Sequence, residues 1–280
     1  MIESLGKKGL QFDVFTSSPK ALASNAVLIS GQNDAVLIDT TFFPLEALSL
    51  IDMVRQRGKR LKAIFISHAH PDHYGALATI HEAFPTAKIL ARQGVIDGML
   101  EWPAKLVHWQ EFYGDDLAVD MDYPEPLTTD SYDLDGYQIV FLDLPICETV
   151  HATAFYIPSC KVLVAADLIY SKTHPYMGDT NNPQSWIDAI ETARALGPIE
   201  RIYPGHGPSG GTELFDAHVQ WLSDYAEVAT PRRGFTDVAR EMMRRYPDHR
   251  LAILLWTTRG PGFGLAGWKE IGMPEELLAS

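Results

Sequence analysis

The sequence predicts an α/β protein in which two β-sheets pack as a sandwich and helices cover the outside. Three observations carry that prediction. Apolar runs of strand length recur at 61–66, 137–144, 154–157 and 161–166, rich in Val, Ile, Phe and Tyr. Segments with helical spacing lie at 43–56 and 186–196 and flank those runs. Histidines and acids gather where the runs stop, as expected when a rigid sheet carries chemistry on loops at one edge.

In chain order, 43–56 reads as a helix and 64–67 as a buried strand, β-branched and aromatic without polar interruption. A short helix is expected over 74–80, with Asp72 and His73 in its first turn. Residues 102–123 carry Trp102, Trp109, Phe112, Tyr113 and Tyr123 among acids and prolines, an aromatic insertion near 95–125 suited to an apolar wall or a partner contact. The runs 137–144, 154–157 and 161–166 read as adjacent strands. The helix at 186–196 has Asn182 as its cap, Pro183 in its first turn, and Gly197-Pro198 as its stop. Beyond about Pro231, a helix over 235–246 places Val238, Met242 and Tyr246 on one face, and 259–264 reads as loop. The domain reading is therefore 1–230, with an extension at 231–280 packed on the same body.

The segment His68-Ala69-His70-Pro71-Asp72-His73 concentrates three imidazoles and a carboxylate in six residues. His68 and His70 are two apart in extended chain, so their rings project to one side and can share a cation. Orphan amides and the helix dipole favour a carboxylate at Asp72. Imidazole with carboxylate suits zinc, and leaves iron or manganese open. Three further residues share the address of a strand end. His151 is the sole histidine between Trp109 and Thr173, Asp167 closes the run at 161–166, and His206 sits between Gly205 and Gly207 after a short apolar run.

With these residues the chain resembles the metallo-β-lactamase superfamily over about 27–207. The resemblance includes a hairpin at 26–40, which is similar to the strand pair opening that fold, and it implies an αββα four-layer sandwich with a C-terminal helical tail. It also implies two metal positions. One is held by His68, His70 and His151, the other by Asp72, His73 and His206, with Asp167 bridging and Asp39 bracing the loop. One departure stands out: the family commonly has Gly-His-Thr where this chain has Val150-His151-Ala152.

Two divalent ions carry about +4, which Asp72, Asp167 and a bridging hydroxide reduce to about +1, a remainder that imidazoles can stabilise. Hydrolysis is the expected chemistry. An acid at the position of Asp167 resembles the branch of thioester hydrolases, lactonases, arylsulfatases and phosphodiesterases, and Tyr170 resembles a tyrosine of acyl-homoserine lactonases that assists at the substrate carbonyl. The expected function is a dinuclear zinc hydrolase cleaving a lactone or other ester-like bond. In it a metal-bridging hydroxide attacks, Tyr170 stabilises the oxyanion, and Asp72 returns the proton. The alternatives are a mononuclear iron dioxygenase resembling the persulfide dioxygenases of the superfamily, or a hydrolase of thioesters, phosphodiesters or β-lactams.

Composition narrows the partners. With 23 basic against 36 acidic side chains the net charge is −13, which disfavours nucleic acid. No leader-like segment or membrane-length apolar run is present, so a cytoplasmic protein acting on a small apolar or aromatic molecule is expected, with a homodimer left open. Cys147 and Cys160 give no disulfide framework. Gly207-Pro208-Ser209-Gly210-Gly211 formally matches a serine-hydrolase elbow, with His218 or His249 as nominal partners. That reading leaves the histidine cluster idle. His174, a lone loop histidine, is expected to be neither ligand nor substrate contact.

Overall fold

The computed structural model describes residues 2–258, so the loop expected at 259–264 lies outside the described residues. The chain forms two β-sheets. The first takes β1 (Ile2–Lys7), β2 (Leu10–Thr16), β3 (Asn25–Ser30), β4 (Asp34–Ile38), β5 (Arg60–Phe65), β6 (Lys88–Ala91) and β7 (Glu125–Pro126), in that spatial order. Its first four strands are antiparallel, and β4 through β7 run parallel. The second sheet takes β8 (Ser131–Leu134), β9 (Tyr137–Asp143), β10 (Thr153–Ile157), β11 (Val162–Tyr170) and β12 (Arg201–His206), and only its β11–β12 pair is parallel.

Both faces of the central strands are buried, which is why they read as unbroken apolar runs. In β3, Val27 and Ile29 point between the sheets while Ala26 and Leu28 point out to helices. In β11, Val162 and Val164 share the inter-sheet core, and Leu163 and Ala165 face the other way. Phe65 of β5 meets Phe141 of β9 and Phe155 of β10 across the sandwich, with centroids 5.2 and 5.8 Å apart. Full burial of one such ring contributes roughly 1.5–3 kcal/mol.

On the outside of the first sheet lie α1 (Pro44–Gln56), the four-residue α2 (Pro71–Tyr74), α3 (Leu77–Ala83), α4 (Gln93–Met99) and α5 (Trp102–Tyr113). On the outside of the second lie α6 (Pro183–Arg194), α7 (Glu213–Val228), α8 (Phe235–Arg245) and α9 (Ile253–Thr257). The order of layers is helix, sheet, sheet, helix, as the sequence predicts. Asn182 caps α6 through the Ser185 amide, 3.1 Å away, and the described part of the C-terminal segment packs on α7 through Val238, Ala239 and Met242.

Two expectations are revised. The helix expected at 74–80 is split at Gly75-Ala76 into α2 and α3, because Ala76 leaves helical geometry at φ −97° and ψ 16° and its amide donates to the Thr41 carbonyl at 2.8 Å instead of to the preceding turn. The strand expected to stop at Asp167 continues to Tyr170. It is interrupted by a bulge at Ala166, whose φ is +46°, and the pairing register with β12 shifts on either side. Bulges re-aim side chains next to functional sites, and this one carries Asp167.

Candidate metal centre

The ends of β4, β5, β11 and β12 converge at one edge of the sandwich. His68 and His70 follow β5, Asp72 and His73 sit in α2, Asp167 follows the bulge of β11, and His206 ends β12. The parallel pairing of β4 with β5 and of β11 with β12 brings their ends to the same side.

Two overlapping sets of donors result. In the first, His70 Nδ1 stands 3.3 Å and His68 Nε2 3.5 Å from Glu148 Oε2, with Asp167 Oδ2 3.7 Å from His68 Nε2. In the second, Asp72 Oδ2 is 3.4 Å from both His73 Nε2 and His206 Nε2, and Asp167 reaches each of those nitrogens at 3.2 Å. Atoms about 2.1 Å from one cation in tetrahedral directions stand about 3.4 Å apart. The spacing therefore fits a cation in each set, with Asp167 shared between them. The buried atoms His68 Nε2, Glu148 Oε2 and Asp167 Oδ1 have no hydrogen-bond partner, which is costly unless an ion receives them.

The other nitrogen of each ring is anchored. His68 Nδ1 lies 2.9 Å from Ser67 Oγ, which itself donates to Asp39 Oδ2. His73 Nδ1 is 3.0 Å from Asp39 Oδ2, and His206 Nδ1 is 2.8 Å from the Leu22 carbonyl. His70 Nε2 is 3.0 Å from Asp179 Oδ2. Each anchor leaves the inward nitrogen as the metal-facing atom. Asp39 thus braces both His68 and His73.

His151 is where the sequence reading and the structure part. It is exposed, and its ring lies over Gly94 of α4, with Glu148 turned into the centre in its place. The cause is local pairing. Ala152 bridges to His68 and Thr153 donates to the Ser67 carbonyl, so the extended chain at Ala152 fixes which side its neighbours take. Glu148 is only 1% exposed, three residues upstream on the same loop between β9 and β10.

Tyr170 is also placed differently from its expected role. Its hydroxyl lies 2.5 Å from Glu148 Oε1 and 2.6 Å from Asp167 Oδ2, one phenolic proton between two carboxylates. The hydroxyl is thus engaged by two of the cluster's acids, while the residue also lines the cavity above them.

Charge coupling in the cluster is strong. Burial drives the Glu148 carboxyl up to about 8, with Asp167 adding to the rise against the pull of His70. Burial also opposes the charge on Asp167, but the facing His73, His206 and His68 overcome it and hold that acid well below the usual carboxylate range.

Above the centre opens a cavity of about 630 Å³ lined on one side by Leu22, Pro71, Trp109, Tyr176 and Leu254, and floored by Asp72, Asp167 and Glu148. Trp109 brings the aromatic insertion to its wall, while Trp102 is buried beneath. Lys105 is the one lysine among the lining residues, and its Nζ donates to the Ala69 carbonyl at 2.8 Å and the Gly98 carbonyl at 3.1 Å. Ser209 lies elsewhere, hydrogen-bonded at 2.5 Å to Glu3 and tied to Arg201. His174 is buried against Trp221 and His249, away from the centre. No helix among the described residues is long and apolar enough to cross a membrane.

Comparison with known proteins agrees with this architecture. The family described as the metallo-beta-lactamase superfamily matches residues 19–206. The uncharacterized protein YobT of Bacillus subtilis is 37% identical over 75 residues, 27% of this chain and 32% of that protein. The coenzyme F420H(2) oxidase of Methanothermobacter thermautotrophicus is 28% identical over 127 residues, 44% of this chain and 28% of the oxidase. The chain thus spans about a third of the length of these curated relatives. Among solved structures, a metallo-beta-lactamase from Pontibacter korlensis superposes with a TM-score of 0.63 at 17% identity, covering 80% of this chain and all of that one.

Proposed function

The chain belongs to the metallo-β-lactamase superfamily, and on that premise we propose that it is a dinuclear metallohydrolase that cleaves an ester-like bond, a lactone foremost, in a small apolar or aromatic molecule. The observation that carries this reading is the pair of neighbouring donor sets beneath a half-apolar cavity, with Asp167 in the first and 3.2 Å from His73 and His206 of the second. Two divalent cations held there would supply a nucleophile from water near neutral pH and polarise the scissile carbonyl.

The protein's own part follows from placement. Asp167 and Glu148 are fixed by the Tyr170 hydroxyl, so the floor of the cavity is rigid. Asp72 lines the cavity and is the carboxylate placed to move a proton from the attacking water to the leaving oxygen. Leu22, Trp109 and Leu254 supply the apolar wall that would hold an acyl or aryl group and exclude water.

The test is to load chelator-stripped protein with Zn²⁺ and screen lactones, aryl esters, thioesters, phosphodiesters and β-lactams. Turnover of one class, lowered by orders of magnitude in Asp72→Ala and His70→Ala, is the expected result. Inactivity in every class, or full rates in both variants, overturns the reading.

One observation favours a second reading, iron-based oxygen chemistry. Glu148 raises the carboxylates at the centre to three alongside four imidazoles, a harder donor set that iron tolerates well. The similarity to an F420H(2) oxidase points the same way. Iron in the protein as purified, with oxygen uptake and no hydrolysis, would decide for it.

A further inference from the structure

Three of the four inward-facing histidines, all of them buried, are anchored by Ser67, Asp39 and the Leu22 carbonyl. His70 differs. It is the most exposed of the four, with 16% of its side chain accessible, and its anchor is a half-exposed carboxylate on the connection between β11 and α6.

The start of that connection runs beside β12, where the Ser171 amide donates to the His206 carbonyl at 3.0 Å, and from Tyr176 onward it lies as a strap over the other metal position. Asp179 Oδ2 meets His70 Nε2 at 3.0 Å, and the Tyr176 ring packs edge-on against the His70 ring, centroids 5.5 Å apart. Thr180 Oγ1 donates to the Cys147 carbonyl at 2.5 Å, and Ser185 Oγ donates to the Ile146 carbonyl, so the strap also holds the loop that delivers Glu148. The second donor set, Asp72, His73 and His206, receives none of the contacts made from Tyr176 onward; its anchors are Asp39 and Leu22.

We propose that Asp179 is a positioning residue for the metal position formed by His68, His70, Glu148 and Asp167, and for that position alone. This rests on the reading of the cluster as a metal centre. An imidazole has one mobile proton when neutral, and a carboxylate on Nε2 keeps it there, leaving the Nδ1 lone pair turned toward Glu148. Without Asp179 the ring is free to rotate into the cavity or to take the other tautomer, and the position loses a ligand for part of the time.

The test uses the full chain, stripped with a chelator and titrated with Co²⁺, following visible absorbance and calorimetric heat. Wild type should bind two equivalents. Asp179→Ala should weaken one of them by about 10- to 100-fold and leave the other unchanged, the usual loss when an outer partner of a ligating histidine is removed. Asp179→Asn keeps an oxygen that accepts the Nε2 proton and should fall between the two; it carries the test if the alanine variant does not fold by circular dichroism. His70→Ala should lose the same equivalent. Wild-type affinity for both equivalents in the folded Asp179 variants, or equal weakening of both, overturns the assignment. Two intact equivalents in His70→Ala would instead overturn the metal-centre reading beneath it.

Discussion

Gly205→Ala is the substitution on which the geometry of the centre bears most directly. Gly205 lies in β12 beside the bulge of β11, and a Cβ built on it would stand 1.7 Å from Asp167 Oδ1, 2.9 Å from Asp167 Cγ and 2.8 Å from the Ala166 carbonyl carbon. Comfortable contact begins at ~3.5 Å, so a displacement of about 1.8 Å is required. Two responses are open. If β11 and β12 spread to make room, overpacking costs about 1–3 kcal/mol. If Asp167 swings away instead, it leaves His73, His206 and the Tyr170 hydroxyl, and breaking a buried charged network costs about 3–5 kcal/mol. Either way we expect a loss near 3 kcal/mol, which at a urea dependence of ~3 kcal/mol per M lowers the unfolding midpoint by about 1 M. Metal binding should weaken at the same time, because Asp167 belongs to both donor sets. Gly58→Ala is the control: Gly58 has φ +61° with nothing within 4 Å of a Cβ, so it should cost only the left-handed backbone term of ~1 kcal/mol and leave metal content intact. A Gly205→Ala protein matching that control in both measurements would refute the shared-carboxylate geometry.

Three other outcomes follow from the same contacts. Glu148→Ala should strip one metal equivalent and cut turnover by orders of magnitude, whereas His151→Ala should change neither; elemental analysis of both variants checks this, and the reverse result would restore His151 to the centre. Ser209→Ala should leave turnover unaltered and cost at most ~1 kcal/mol, since it touches only the partly exposed Glu3–Arg201 pair; loss of activity would revive a serine mechanism. His174 and His218 are both held down to about 3 by burial, so between pH 6.5 and 3 the unfolded chain takes up protons that the folded chain refuses. Stability should therefore fall on acidification by roughly 1.4 kcal/mol per pH unit for each histidine, and His174→Gln should remove about one proton from the slope measured by urea unfolding between pH 6 and 4.5; an unchanged slope would mean that His174 is not held neutral.

What the sequence made legible was what it wrote contiguously or periodically. His68, His70, Asp72 and His73 fall in six residues after a buried strand, and Asp167 and His206 could be located because apolar runs lead up to them. β1 and β2 went unread for a physical reason. β1 is half exposed along its length, and β2 contains Asp13, a fully buried acid that breaks the apolar pattern. Its charge is met by Arg57 from the end of α1, at 2.5 Å to Nε, and by Ser4. Such a partner, 44 residues away, leaves no local trace. Glu148 was missed for a related reason. The loop between β9 and β10 offers both an acid and a histidine three positions apart, and irregular backbone has no period that says which one faces inward. Only the pairing of Ala152 with His68 decides it.

That exchange alters the chemistry that can be expected of the centre. With His151 as ligand, two divalent ions at about +4 against Asp72 and Asp167 leave about +2 before any water ionises. With Glu148 the remainder is about +1, and a single hydroxide brings it to zero. A neutral centre attracts an anionic substrate less and gives up hydroxide more readily. It also better tolerates an ion that gains a further positive charge, which is where hydrolysis and oxygen chemistry diverge on one scaffold. The Tyr170 hydroxyl bears on the same charge, since it donates to two of the carboxylates that set it. Glu148→His, which restores the lower carboxylate count at that position, should therefore shift metal preference from iron toward zinc in competition loading. An unchanged preference would mean that charge at this position does not select the metal.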